Sequence, residues 1–328
     1  MVGSYLKTSA RNLLRNKLFT AINVVGLAIS MSVGLLLIAF VLDLRSYDKF
    51  HKNRERIYRI TNVATVKGEQ GSQSRPGGKY SSTSIKAGKL IREKVSGISE
   101  VAIMRNDFSQ DAKVGDNTLP IKGFWADPSL FRIFTFPMLE DDPETALKDP
   151  YSIVLTETAA KKLFGNQSAL GKAININTLD YQVTGIMKDV PFFSHINFEA
   201  LVSLSTAEQL NRNNNDFDNW TSMSSNYVYL LLPPTADITS IQSQLDAIAR
   251  EENRAEENTK IQLELLPLYD IVVGESLSRS EGGLAPLALT YLRLCFGYSV
   301  GLHSLCYYRR VSTIPICRWH EPCAALRK

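Results

Sequence analysis

Apolar and polar positions divide the chain into three stretches. Leu18 to Leu42 reads LFTAINVVGLAISMSVGLLLIAFVL, a run without charge in which Asn23 is the strongly polar side chain. As a helix it would be about 37 Å long, enough to cross a hydrocarbon core of about 30 Å with some tilt. A cleaved signal peptide is the competing reading, with Ala28-Ile29-Ser30 imitating a cleavage site. Mostly apolar sequence continues to Leu42, past the length of about 7–15 residues usual for a signal core. The pattern therefore predicts an uncleaved transmembrane helix over 18–42.

From about His51 to Ser280 the pattern becomes that of a soluble α+β domain. Arg56 to Val66 alternates and is rich in β-branched residues, which predicts a strand. Lys67 to Tyr80 is a Gly/Ser/Pro loop. Ala87, Leu90, Ile91 and Val95 fall at helical spacing behind a capping Ser84, although Gly88 interrupts the run. Ile153-Val154-Leu155 predicts a strand, followed by a helix from Ala159 to Phe164 with Thr156-Glu157-Thr158 at its start and Gly165 at its end. Lys172–Ile176 and Tyr181–Met187 are strands around a turn at 177–180. Tyr227–Leu232 is a strand stopped by Pro233-Pro234, Ile238–Arg250 a helix, and Ile261–Pro267 a strand. No long parallel βα rhythm runs through these elements, so the expected class is α+β behind one transmembrane helix. Asn211 to Trp220 is polar and turn-prone, and a subdomain junction is expected near 205–225.

Composition changes this picture little. In 328 residues, 44% are hydrophobic and 37 basic side chains face 33 acidic ones, which excludes a disordered chain and a nucleic-acid partner. Charge placement says more. Lys7, Arg11, Arg15 and Lys17 precede the apolar run with no acidic residue, whereas Asp43, Arg45, Asp48 and Lys49 balance after it. The positive-inside rule puts the N-terminus in the cytoplasm and residues after 43 outside. Lys7, Arg11 and Arg15 also lie four apart, as on a short amphipathic helix resting on an anionic membrane surface; a solvated basic flank is the plainer reading. Gly26, Ser30 and Gly34 form a small-residue stripe along the span that would let a second helix approach closely.

No catalytic constellation stands out. Gly165 to Ala173 (GNQSALGKA) imitates a phosphate loop but has the wrong glycine spacing and Ala173 in place of the Ser/Thr metal ligand. The histidines are not at metal-ligand spacing, and His195 reads as a side chain that satisfies a local hydrogen bond. Asp141-Asp142 and Glu251-Glu252 read as solvated pairs, and Trp125, Phe131, Phe134 and Phe136 as an aromatic cluster of the core. Neither an enzyme nor a cofactor or metal site is expected.

The sequence resembles the permease subunits of MacB/FtsX-type ABC transporters. The likeness lies in the basic RNLLRNK segment before INVVGLAI, in Ser46-Tyr47-Asp48-Lys49-Phe50-His51, and in Arg56-Ile57-Tyr58-Arg59. Its most specific stretch runs from Ala126 to Leu204 and includes VTGIMKDVPFFSHINFEALVSL. The resemblance implies a permease in the cell inner membrane: one span, a large periplasmic domain, then three further spans. It also implies a second permease subunit, as homo- or heterodimer, and a separate ABC ATPase whose work the permease carries to the periplasmic domain. The alternative is a single-span periplasmic binding or sensory module. The expected layout is a basic segment at 1–17, the span at 18–42, the periplasmic domain at 43–283 and an atypical tail at 284–328.

That tail departs from the family. Leu287 to Tyr308 is apolar but carries Arg293 and His303, and all four cysteines (Cys295, Cys306, Cys317, Cys323) fall here at spacings that fit no zinc site. Joining the third base of each codon from Cys306 to the first two of the next permits LLSACFNYTNLSVARALRRSKE, text of the family's kind. A frameshift near Tyr291–Tyr298 is the expectation, a genuine second span the alternative; a buried arginine there would cost about 2.5–3.5 kcal/mol.

Overall fold

The computed structural model describes residues 11, 14–15, 17–66, 78–212 and 215–273. The readings on Lys7, most of the 67–80 loop and the tail at 284–328 lie outside them. Helix α1 (Lys17–Leu44) contains the whole predicted span. Apart from buried Leu44, its apolar side chains are largely exposed, and it is the one helix among the described residues long and apolar enough to cross a membrane. The chain divides into two compact units at Leu42/Asp43.

After α1 the chain forms β1 (Ile57–Val66), β2 (Lys79–Tyr80), α2 (Ile85–Lys94), β3 (Glu100–Val114), β4 (Asn117–Ala126) and α3 (Ser129–Ile133). Then come β5 (Met138–Glu140), β6 (Ser152–Thr156), α4 (Glu157–Phe164), β7 (Ala173–Ile176), β8 (Leu179–Met187), β9 (Ala200–Ser203) and α5 (Leu204–Leu210). β10 (Asn226–Leu231), α6 (Ile238–Glu252), β11 (Thr259–Pro267) and α7 (Asp270–Val273) complete the described chain. The strands join in one sheet, ordered β11-β1-β10-β3-β4-β9-β6-β8-β5, with β2 on β1 and β7 on both β3 and β8. Only β4 with β9 and β6 with β8 pair parallel, so the expected α+β class holds.

Local chemistry accounts for many element ends. Ser84 accepts a hydrogen bond from the Ala87 N–H (3.1 Å) and Thr156 from the Ala159 N–H (3.3 Å), each closing an open helix N-terminus. Asp237 does the same for α6, accepting from the Thr239 and Ser240 N–H groups. The β7–β8 hairpin turns on Asn177 and Thr178, both at positive φ, so the turn is tighter than the four residues expected. Gly88, which weakens the helical pattern, is required by packing. A Cβ there would stand 2.8 Å from Ile103 and 2.9 Å from Val228, so its absence lets α2 lie directly on β3 and β10.

Two findings go beyond the sequence pattern. β3 and β4, the largest hairpin, escape it because β3 shifts register between Arg105 and Phe108, and this irregularity breaks the alternation. The aromatic residues expected to cluster also separate. Trp125 packs edge-on against Phe108 (5.0 Å), while Phe134 and Phe136 stand 4.9 and 5.3 Å from His51. In the turn-prone stretch before β10, Phe217 and Trp220 are buried, and the Trp220 indole N–H donates to Asn253 at the end of α6.

Candidate functional site

The segment leaving α1 is fastened to the sheet by a buried polar cluster. Ser46 closes a turn on Asp43, with its N–H and hydroxyl 2.9 and 2.6 Å from the Asp43 carbonyl. Asp48 follows at φ 57, a left-handed conformation that aspartate tolerates better than most side chains. Its own N–H donates to the carbonyl of Phe193 (2.9 Å), which ties this turn to the loop between β8 and β9.

The Asp48 carboxylate gathers that loop. Oδ1 accepts from the His195 backbone N–H (3.2 Å) and from the Ser194 hydroxyl (3.3 Å). Oδ2 lies 2.8 Å from His195 Nδ1, off the direction of a straight hydrogen bond. On the far side of the ring, His195 Nε2 stands 2.9 Å from the Tyr229 hydroxyl on β10. His51 Nε2 is 3.8 Å from Asp48 Oδ1, and His51 Nδ1 accepts from the Thr135 N–H (3.0 Å). Accepting through Nδ1 leaves Nε2 as the protonated nitrogen of a neutral ring.

Burial and partners set the charge states. Burial pushes Asp48 up, but the His195 ring contact, its charge and its backbone N–H together outweigh this and hold the carboxyl below its ordinary value. Burial takes His51 down to about 4, against the opposing pull of Asp48. It raises the Tyr229 phenol, against the charge of the neighbouring Arg59. Arg59, on β1, is only 1% exposed, with its guanidinium carbon 5.8 Å from the Tyr227 ring centre. A cavity of about 10 Å³ beside Arg59, Met104, His195 and Tyr229 has room for about one water.

Asp48 and His195 have the spacing of a catalytic pair, but both are buried, and the third member is a phenol whose ionisation burial opposes. A substrate has no route to them through the described residues. What the cluster does is hold three separate stretches together, 46–51, 56–59 and 191–196. These are stretches on which the family resemblance rests. Asp48, His51, Arg59 and Tyr229 were not singled out as a site by spacing, because the contacts join distant residues, Asp48 and His195 being 147 positions apart. His195 does satisfy hydrogen bonds, though distant rather than local ones.

Elsewhere the expected features stand as follows. Gly26 and Ser30 are exposed on α1, a Cβ at Gly26 or Gly34 would meet nothing within 4 Å, and the Ser30 hydroxyl donates to the Gly26 carbonyl (2.9 Å). Arg11 and Arg15 are helical and exposed, as is Lys17. In the loop that imitates a phosphate site, Lys172 bonds to Gln167 (2.6 Å) and lies over the Phe164 ring. A cavity of about 340 Å³ is bordered by Lys89, Glu208, Arg212, Phe217 and Asp218. Lys89 is already paired with Glu208 (3.0 Å) and Asp218 (3.4 Å).

An apolar helix of membrane-spanning length, followed along the chain by a mixed sheet domain, marks a membrane-anchored protein. More particularly, the family profile of the MacB-like periplasmic core domain matches residues 20–248, and the chain belongs to that family. Among solved structures, the fold is similar to a domain of a protein assigned as a permease from Porphyromonas gingivalis. That likeness has 19% identity and a TM-score of 0.55, over 67% of this chain and 92% of that one. The periplasmic region of MacB from Actinobacillus actinomycetemcomitans matches at 15% identity and a TM-score of 0.42, over 67% and 91% of the two chains. The extracellular domain of the noncanonic ABC-type transporter YknZ from Gram-positive bacteria matches at 16% and 0.42, over 62% and 99%. Among curated proteins, none matches.

Proposed function

We propose that the chain is the permease subunit of an ABC-type export or mechanotransmission system, working with a separate ATPase and carrying the effect of cytoplasmic ATP hydrolysis to its outer domain. The observation that carries this reading is the Asp48 cluster. A flexible linker behind a span would absorb a displacement of the helix. Here the turn at 46–51 is instead bonded to the β8–β9 loop and, through His195 and Tyr229, to strand β10 inside the sheet. A movement of the helix end therefore has a short, buried path into the sheet. Such a joint suits a transmitting device better than a tether.

The rest of the reading follows the charge and residue patterns. Arg11, Arg15 and Lys17, with Lys7 before them, face the cytoplasm and the anionic lipid of the inner membrane, and residues after 43 lie in the periplasm. Gly26, Ser30 and Gly34 face a helix of a second permease subunit. The outer domain spans 43–283 with a junction near 205–225, and the chain carries out no catalysis, binds no metal or cofactor and binds no nucleic acid. A ligand-binding module would need a more enclosed cavity than the open one at Lys89, where Lys89 is already paired with Glu208 and Asp218.

Affinity purification of the full chain from its own membranes tests the reading. A stoichiometric ATPase subunit whose hydrolysis rate falls when Asp48→Ala breaks the joint is the expected result. A chain that purifies without an ATPase, or an ATPase rate indifferent to Asp48→Ala, would overturn it.

A further inference from the structure

Phe192 is the most exposed large apolar side chain among the described residues, at 86%. Leaving a phenylalanine in water forgoes the favourable transfer that burying it would bring. Nor is it a frayed loop tip. The carbonyl of Phe193 accepts from the Asp48 N–H, and the next two residues, Ser194 and His195, are buried and held by the Asp48 carboxylate. The backbone presenting Phe192 is fixed on both counts.

Its position along the chain says what it meets. The Phe192 ring packs edge-on against Phe193 (5.1 Å), and Phe193 packs edge-on against Tyr47 (5.6 Å). Tyr47 lies three residues past the end of α1, within about 11 Å of it along the chain at full extension. The headgroup layer beyond each face of the hydrocarbon core is about 5–8 Å deep. Aromatic rings prefer that layer because it accepts an apolar body beside polar groups. Exposed Lys49 and Lys52 flank the same turn and suit the phosphates there.

We infer that Tyr47, Phe193 and Phe192 form an aromatic wedge that inserts Phe192 into the headgroup–acyl boundary of the membrane crossed by the chain's own helix. The inference rests on α1 being a span. Anchored in this way, the β8–β9 loop would be held at two points, by lipid through Phe192 and by the helix end through Asp48.

The test uses the full chain in phosphatidylcholine/phosphatidylglycerol vesicles carrying brominated acyl chains, which quench nearby indole emission. Three single variants are compared with the parent, whose native tryptophans set the baseline: Phe192→Trp, Leu35→Trp within α1, and Asp116→Trp at the β3–β4 turn. The last lies about 45 Å along β3 from its Glu100 end. Expected is a loss of most of the added emission for Phe192→Trp and Leu35→Trp, and none for Asp116→Trp. Quenching of Leu35→Trp without Phe192→Trp overturns the wedge and leaves the span standing. No quenching of Leu35→Trp overturns the span and the wedge with it. Phe192→Trp shielded from aqueous acrylamide yet not quenched by bromolipid means a protein surface covers it, a second copy included, and also overturns the wedge. Equal quenching of Asp116→Trp would mean general adsorption and would do the same.

Discussion

Asp48 and Asp127 are two buried carboxylates that burial affects in opposite net directions. Asp48 faces His195 and His51 at the end of α1 and ends below its ordinary value. Asp127, just past β4, bonds to Arg92 of α2 and to the Ile103 N–H (3.2 Å), yet burial outweighs the Arg92 charge and leaves it raised. The formal charge of the partner does not explain this, since arginine is the stronger cation. The surroundings of the partner do. The Arg92 side chain is 45% exposed, so water screens it, whereas that of His195 is 1% exposed. Asp48 Oδ1 accepts two hydrogen bonds while its Oδ2 stands 2.8 Å from the His195 ring, whereas Asp127 bonds to Arg92 and to the Ile103 N–H through Oδ2 alone. One carboxylate is a completed joint and the other a clasp that is satisfied on one side.

The largest effect should come from removing the joint. Asp48→Ala strands buried Ser194, His195 and the Phe193 loop, and the loss of one partner of a buried pair costs about 3–5 kcal/mol. For a domain of this size that corresponds to a fall in the thermal midpoint of about 10 °C, read on the full chain in detergent. Asp127→Ala should cost less than half as much, because Arg92 can turn to solvent and keeps its bond to the Val101 carbonyl (2.8 Å). Equal losses for the two variants would erase the distinction between joint and clasp.

Acid should separate the same regions. His51 is held near 4 in the folded chain against an ordinary 6.5, so unfolding takes up a proton between those values. Stability is therefore lost as the pH falls from about 6.5 to about 4, by about 3 kcal/mol from this group. Asp48, whose folded value is lowered, adds a further loss as the pH falls through and below 3.8. Asp127 acts in the opposite sense: its value is raised, so acid relieves its burial penalty and offsets part of the loss. Denaturation midpoints measured across this range should fall on acidification, and His51→Gln should flatten the fall between pH 6.5 and 4. An unchanged slope in that variant would show that His51 is not the group responsible.

A smaller effect tests whether the Asp48 donors act singly or together. The Ser194 hydroxyl is buried but its bond to Asp48 is long, at 3.3 Å, and Asp48 keeps the His195 N–H without it. Ser194→Ala should cost about 1 kcal/mol. A loss as large as that of Asp48→Ala would mean that Ser194 alone holds the loop.

How far the sequence exposes this molecule depends on the range of each interaction. Ser84, Thr156 and Gly165 are legible because a cap acts over a few residues, and Asn177-Thr178 because a hairpin turn is local. α1 is legible from composition alone. β3 is not, since the shift between Arg105 and Phe108 moves successive side chains out of phase. Gly88 reads as a helix defect until Ile103 and Val228 are seen above it. The cluster is the extreme case. His195 is isolated in sequence, and only the fold brings Asp48, His51 and Tyr229 around it. The familiar text at 46–51 and 191–198 marks the right residues without saying that they touch.

The subtlest way to sharpen the comparison is to remove charge while keeping shape. Asp127→Asn retains an acceptor for the Ile103 N–H, and Arg92 remains half in water. At neutral pH its stability should stay within about 1 kcal/mol of the parent, because the lost attraction is offset by a lost burial penalty. Its acid response should nevertheless change. With the group that acid relieves now absent, the fall in midpoint below pH 6.5 should become steeper than in the parent. A shallower fall would mean that Asp127 is held ionised as firmly as Asp48, and that partner exposure is not what separates the two carboxylates.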